Sequence, residues 1–179
     1  MTELDEAWAL ALAEAEARAR AAGRTDISEY LALRSSNDLI RKTASKWLLE
    51  MFATAAGEAN RAGASIQVST DSAHRFKVGN ASMVGSRLNL GNGVRMLLVE
   101  VGWPRVPSDG FIRGGGLACG HIKHIGMKPA NEDLRLVLSS NGTPSWVVLG
   151  KHGSLTGGRE LHEANVRNHI AILMGNSRK

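Results

Sequence analysis

The run Leu88-Asn89-Leu90-Gly91-Asn92-Gly93-Val94-Arg95-Met96-Leu97-Leu98-Val99-Glu100-Val101 decides the fold class of this chain. Leu88 and Leu90 alternate with polar neighbours, and a mostly apolar stretch begins after Arg95. Gly91-Asn92-Gly93 separates the two parts, and these residue types accept the positive φ angles of tight hairpin turns. The run therefore predicts two antiparallel strands joined by a hairpin, the second of them largely buried.

The same two-residue period continues on both sides of this hairpin. Further strand-like segments lie at residues 66–68, 74–78, 117–125, 134–138 and 146–149. Gly79-Asn80 and Asn141-Gly142 are typical turn dipeptides between such segments. Because consecutive strands are joined by short turns, we expect an antiparallel meander of five to seven strands.

Helical periodicity occupies the two ends of the chain. Residues 3–22 predict a first helix with Thr2 as its N-cap, and Asp26 begins a short second helix. After Ser35-Ser36, apolar residues spaced three and four apart predict a third helix of about 25 residues that ends at Gly63. A final helix is expected from about Gly158 to Met174 and ends at Gly175.

The order of helices, then strands, then a helix is typical of an α+β fold. At 179 residues and 43% hydrophobic, the chain fits a single domain over residues 1–179. We expect a helical part at 1–62, a sheet part at 63–150 and a C-terminal helix within 151–179. The N-terminal helices and the C-terminal helix should pack on one face of the sheet.

Composition also bears on where the protein works. The N-terminus is acidic and rich in alanine and glutamate, so it lacks the basic start and apolar core of a signal peptide. No apolar run approaches the roughly 18 residues that a membrane span needs. With one cysteine the chain has no internal disulfide framework. We therefore expect a soluble, cytoplasmic protein that does not associate with a membrane.

The net charge of +5 is unevenly distributed along the chain. Residues 61–130 hold nine Lys and Arg against three Asp and Glu, a net charge of +6, whereas residues 1–23 carry −3. A basic middle segment favours an anionic partner, either a small molecule or a nucleic-acid phosphate. The alternative is a solvated basic surface that only confers solubility.

The densest group of candidate binding residues lies in the glycine-rich segment 102–124. Backbone amides of a glycine run can approach a phosphate or carboxylate, and flanking arginines can pair with it. The expected ligand-binding residues are Trp103, Arg105, Arg113, Gly114, Gly115 and Gly116. A strand rather than a helix follows the glycines, so the segment is not a nucleotide-binding fingerprint. A β-bulge or a crossing between strands is the structural alternative.

Cys119-Gly120-His121-Ile122-Lys123-His124 supports two further hypotheses. A thiol beside an imidazole can act as a nucleophile, with Cys119, His121 and Asp109 as the catalytic candidates. The same cysteine with His121 and His124 could bind a metal, although strand alternation places His124 on the opposite face. A third ligand on the first face would have to come from a carboxylate or one of the other histidines, which are His74, His152, His162 and His169.

A buried core cysteine with hydrogen-bonded histidines is the plainer interpretation of this hexapeptide. We therefore expect a non-catalytic protein that binds an anion through segment 102–124, with no cofactor. The first alternative is a thiol- or metal-dependent hydrolase that uses Cys119 and His121 or His124. The second is a homo-oligomeric accessory protein, since the alanine-rich first helix suits close helix packing across a homodimer.

Overall fold

The computed structural model describes residues 3–150 and 153–176, with side chains from residue 6 onward. Thr2, the expected N-cap of the first helix, lies outside these residues. The described chain forms three helices and seven strands, in the order α1 (Glu3–Ala21), α2 (Thr25–Arg61), β1 (Gln67–Val78), β2 (Ala81–Asn92), β3 (Arg95–Trp103), β4 (Ala118–His124), β5 (Glu132–Leu138), β6 (Pro144–Val148), β7 (Arg159–Glu160) and α3 (Glu163–Met174). This arrangement confirms the predicted α+β class.

The strands form one antiparallel meander in which each pairs with the next along the chain. In the central hairpin Asn92 pairs with Arg95, so Gly93 and Val94 form the turn. Gly93 has a φ of +60°, the left-handed conformation that glycine adopts without steric cost. The predicted antiparallel meander is confirmed, with seven strands.

The second and third predicted helices are one continuous helix, α2, of 37 residues. Ser35-Ser36 carries a modest helix propensity but does not interrupt the backbone. Between Thr25 and Arg61 the chain has no proline and a single glycine, Gly57. Nothing in this stretch forces a break, so the serines lie inside the helix.

The C-terminal helix begins later than predicted, at Glu163 instead of Gly158. Gly157, with a φ of +76°, turns the chain so that Arg159-Glu160 pairs with β6 as the short strand β7. The Asn165 side chain then accepts the His162 amide N–H at 2.9 Å, which caps α3. Gly175 ends α3 in the left-handed conformation, as predicted.

The chain divides into two compact units, Met1–Thr43 and Ala44–Lys179. In the first unit, α1 and the beginning of α2 form a helix-turn-helix, with the Arg34 guanidinium 5.2 Å from the centre of the Trp8 ring. Leu12 is its buried apolar side chain. The domain boundaries expected from the sequence stay a prediction.

In the second unit, α3 and the Ala44–Arg61 part of α2 cover one face of the sheet, which we call the helix face. Trp146 of β6 donates its indole N–H to the Ala44 carbonyl at 3.0 Å. Fully buried side chains fill the space between helices and sheet, among them Leu48, Phe52, Leu90, Leu97, Ile122, Leu136, Trp146 and Leu173. This burial of apolar surface is the main stabilising contribution to the unit.

The opposite face, which we call the loop face, is crossed by the connection between β3 and β4. Strand register places Glu100 opposite His121 and Gly102 opposite Cys119 on this face. Ile112 of the connection packs against Ala81, Met83 and Cys119. Cys119 and His121 therefore lie beneath the connection between β3 and β4.

A β-bulge in β1 adds a histidine to the loop face. Asp71 pairs with Arg87 and His74 with Gly85, so β1 has one more residue than β2 over this interval. The Asp71 carboxylate accepts the Ala73 amide N–H at 3.0 Å at the bulge. The extra residue places Asp71 and His74 on the same face although they are three residues apart.

No helix within residues 3–150 and 153–176 is both long and apolar enough to cross a membrane.

Candidate functional site

A pocket of about 260 Å³ lies between the loop face of the sheet and the glycine-rich connection. Five separate parts of the chain form it: the β1–β2 turn, residues 110–113, strand β4, strand β5, and Leu149 with Gly153. Its lining residues are Val78, Gly79, Asn80, Ala81, Gly110, Phe111, Ile112, Arg113, Cys119, Gly120, His121, Asp133, Leu134, Arg135, Leu149 and Gly153. Mostly apolar walls with a few polar groups are typical of small-molecule sites.

Cations outnumber anions among these lining residues. Arg113, Arg135 and the imidazole of His121 contribute basic groups, and Asp133 is the carboxylate. The Arg113 side chain is exposed and its guanidinium lies 5.9 Å from the Phe111 ring. No carboxylate of the described residues forms an ion pair with Arg113. This guanidinium therefore remains available to an anion.

Arg135 holds the glycine-rich connection in place. Its guanidinium donates to the Arg113 carbonyl at 2.8 Å and also to the Gly115 carbonyl. Gly116 has a φ of +98°, and a side chain there would clash with Arg135, because a Cβ would lie 2.6 Å from the Arg135 Cδ. Arg135 is thus a buried anchor that fixes the backbone next to Arg113.

Glu100 is a buried carboxylate at the centre of a polar cluster beside the pocket. His74 Nε2 lies 2.7 Å from one carboxylate oxygen, and His121 Nδ1 lies 2.7 Å from the other. Lys123 donates to the same oxygen as His121. Burial alone would raise the pKa of Glu100, but the hydrogen bonds from His121, Lys123 and His74 outweigh it and lower the pKa to about 2.

The ionised Glu100 fixes how His121 presents its ring to the pocket. A carboxylate only accepts hydrogen bonds, so His121 must carry a proton on Nδ1. Its Nε2 lies on the pocket side, 3.5 Å from Asp133 Oδ1. The Phe76 ring packs against the His121 ring at a centroid distance of 5.2 Å and restricts it further. His121 is therefore a positioned hydrogen-bonding group of the pocket.

Cys119 lies at the base of the pocket and is buried. It packs with Ala81 and Met83, and Phe76, Val78 and Ile112 surround this group. Burial raises the pKa of the Cys119 thiol, although the nearby Arg135 charge opposes the effect. The residue is held as a neutral thiol, which is the state of a structural cysteine.

Asp109, the third catalytic candidate, stabilises the start of the connection. Its carboxylate accepts the backbone N–H groups of Arg105 at 3.0 Å and Val106 at 3.2 Å. The Arg105 backbone hydrogen bond is the largest cause of the lowered pKa of Asp109. Asp109 also faces Arg75 at 3.5 Å, whereas the acids near His121 are Glu100 at 2.7 Å and Asp133 at 3.5 Å.

The expected binding residues divide into two groups. Arg113 lines the pocket, and Gly114–Gly116 follow it as an exposed turn in which all three φ angles are positive. Trp103 is buried, and Arg105 stacks on it at 3.8 Å from the ring centre. Arg113 thus lies at the pocket, whereas Arg105 lies just after β3 and does not line the pocket.

His124 lies on the helix face, as strand alternation predicts. Its Nε2 is 2.9 Å from Nδ1 of His169 on α3, and His169 Nε2 is 3.2 Å from the Glu132 carboxylate. Burial is the largest cause that lowers the pKa of His124, to about 4. Within the described part of the chain, no three His, Cys, Asp or Glu side chains form a metal-binding group. His152 lies outside that part.

Glu100 and Arg135 were not identified from the sequence as residues of the site, and His74 was named only as a possible third metal ligand. A charged residue inside a strand as apolar as β3 or β5 requires partners when it is buried, and this signal could have indicated Glu100 and Arg135. His74 depends on the bulge, for which Asp71-Ser72-Ala73 gives only a weak signal.

The chain matches no protein-family model, no curated protein and no solved structure.

Proposed function

We propose that this protein binds a small organic anion in the pocket between the loop face and residues 110–113. The ligand class is a carboxylate or phosphate attached to a compact apolar body. The exposed Arg113 guanidinium, which has no carboxylate partner among the described residues, is the observation that carries the proposal.

The chemistry of the walls favours this class over a purely polar ligand. Phe111, Ile112 and Leu149 offer apolar surface, and Arg113 lies at the end of that surface. Burying an apolar body contributes roughly 25 cal/mol per Å², and a charge-assisted hydrogen bond to Arg113 orients the anionic group. Asp133, whose side chain is 64% exposed, can turn toward solvent when an anion enters.

The turn after Arg113 offers further donors. The amide N–H groups of Gly114–Gly116 make no hydrogen bond to the described residues, and successive free amides in a turn can bind an anion. Arg135 holds the carbonyls of this turn away from the solvent side through its two hydrogen bonds. The backbone is thereby preorganised, which reduces the entropic cost of binding.

The state of Cys119 supports binding rather than thiol catalysis. A nucleophilic cysteine requires a lowered pKa and exposure, whereas the Cys119 pKa is raised and the residue is buried. The free thiol also supports the cytoplasmic location that we propose, because the cytosol keeps thiols reduced.

The test is calorimetric titration of the full chain with phenyl phosphate, benzoate and inorganic phosphate. We expect phenyl phosphate to bind more tightly than inorganic phosphate, because only the former fills the apolar walls. Arg113→Ala should weaken phenyl phosphate binding by about tenfold or more and leave the melting temperature nearly unchanged. Arg61→Ala, which removes an exposed arginine at the end of α2, is the matched control.

Two results would contradict the proposal. One is the absence of phenyl phosphate binding at low ionic strength. The other is an equal loss of affinity in Arg113→Ala and Arg61→Ala, which would indicate nonspecific charge attraction. A single-stranded oligonucleotide in the same titration distinguishes a nucleic-acid partner, since its binding would depend steeply on salt and on both arginines.

A further inference from the structure

We propose that α1 is a self-association surface through which two copies of this chain pair in antiparallel orientation. The surface consists of Glu6, Leu10, Ala13, Ala17 and Arg20, which we call the α1 seam. Their spacings of four, three, four and three residues place them along one face of a helix. All five are exposed in the structure.

The first unit leaves large apolar side chains uncovered. Leu10 of the seam is 62% exposed, and Trp8, Tyr30, Leu33 and Leu39 are also exposed. A helix-turn-helix of 43 residues is at the size below which chains usually need oligomerisation to bury enough apolar surface. The size of the unit and its exposed apolar side chains therefore favour association with a partner.

The charge order along the seam indicates that this partner is a second copy of α1. Glu6 lies near the N-terminal end, Arg20 lies near the C-terminal end, and Leu10 and the alanines lie between them. Two such helices in antiparallel orientation bring each Glu6 near the Arg20 of the other copy. A parallel pair would instead place like charges together, so the seam is complementary to itself in one orientation only.

The middle of the seam permits close approach. Ala13 and Ala17 have no side-chain atoms beyond Cβ, so two helix backbones can come near each other there. A twofold axis through this region makes every contact occur twice, which doubles the effect of each charge pair. Arg20 also pairs with Glu16 at 2.6 Å on the surface of its own helix, and such exposed pairs contribute little and can share a partner.

Two paired helices bury less area than a standard stable interface of about 800 Å² per partner. We therefore expect a reversible dimer with a dissociation constant in the micromolar range. Because the charge pairs are exposed, added salt should weaken the dimer.

The test is sedimentation velocity of the full chain, with charge reversals at the two ends of the seam. The wild-type chain should approach twice its monomer mass of 19.1 kDa as its concentration rises. Glu6→Arg and Arg20→Glu should each raise the dissociation constant about tenfold, since each turns two attractive contacts into repulsive ones. An equimolar mixture of the two variants, and the double variant, should recover wild-type affinity.

Lys128→Glu, a charge reversal at an exposed position of the second unit, is the matched control and should leave the dissociation constant unchanged. Circular dichroism checks that each variant keeps its helix content. A wild-type chain that stays monomeric up to about 100 µM would contradict the proposal. So would single variants whose loss is not recovered in the mixture and the double variant. Phenyl phosphate binding by Arg113 is measured separately, so either proposal can fail without the other.

Discussion

At the scale of single residues, Glu100 determines how the loop face is organised. One buried carboxylate accepts hydrogen bonds from His74, His121 and Lys123, and each of these side chains is thereby fixed on the face. Replacing Glu100 by glutamine removes the negative charge and leaves one amide oxygen to accept from three partly buried donors, while the new NH2 group is itself a donor. Substitutions that leave buried polar groups without hydrogen bonds are among the few that strongly destabilise a protein.

We expect Glu100→Gln to lower the free energy of unfolding by on the order of 3 kcal/mol at pH 7. The native pKa of Glu100 is about 2 against an ordinary value of 4.5, so its stabilisation is complete above pH 4.5 and is lost as pH falls toward 2. Urea unfolding at pH 7 and pH 3 measures the difference. Glu160→Gln, at an exposed glutamate, is the control. An equal small effect in both variants would contradict the role of Glu100.

Cys119 gives a second prediction at this scale. A buried thiol with a raised pKa should react slowly with iodoacetamide in the native protein at pH 7. Cys119→Ala should cost on the order of 1 kcal/mol of stability through lost packing. Fast labelling that His121→Ala slows would instead support a catalytic thiol, and it would overturn the interpretation of Cys119 as a core residue.

Residue patterns identified part of the site. Strand alternation predicts that Cys119 and His121 share a face and that His124 faces away, and the structure has this arrangement. Strand alternation cannot show that Glu100 lies beside His121, because Glu100 is on another strand and the strand register decides which residues pair. Local spacing suggested Asp109 as that acid, whereas hydrogen bonds to nearby backbone hold Asp109 in its own turn.

At the scale of elements, the packing of α3 on the sheet depends on a chain of polar contacts in an apolar layer. His124 of β4 meets His169 of α3, and His169 meets Glu132 of β5. The Phe52 ring of α2 lies 6.1 Å from the His169 ring. Burial disfavours a positive charge on His124, so the attachment of α3 to the sheet should depend on pH.

The pKa of His124 is about 4 in the folded protein against an ordinary value of 6.5. The unfolded chain therefore binds more protons between these values, and stability should fall by up to about 3 kcal/mol as pH decreases from 6.5 to 4. His124→Gln should flatten this slope in chemical unfolding experiments. His162→Gln, at an exposed histidine, should keep it. An unchanged slope in His124→Gln would contradict the assignment.

Element order and strand alternation were sufficient to predict the meander, because most strands follow a two-residue period and consecutive strands pair even across the long connection at residues 104–117. Helix ends were harder to predict. The serines at 35–36 resemble a cap, but a cap forms only where the chain actually turns, and α2 continues through them. The two residues of β7 are too few to show a period and are recognised only from their pairing with β6.

At the scale of the whole molecule, the structure shows where the basic residues of the middle of the chain lie. The basic residues of β1–β5 contact partners on the sheet, on α3 or in the β3–β4 connection, and Glu100 alone contacts one lysine and two histidines. Arg113 stays without a carboxylate partner among the described residues and lies beside an apolar pocket. No single-sequence pattern could show this pocket, because five separated segments form its walls.

The proposed function requires that this pocket binds a small organic anion through Arg113. The most direct measurement is a two-dimensional ¹H–¹⁵N NMR titration of the full chain with phenyl phosphate. We expect saturable shifts concentrated at the amides of Gly110–Gly116, at Gly120 and at the Arg113 Nε–H, with little change along α1. Shifts spread evenly over exposed lysines and arginines, or none at these positions, would contradict the proposed function.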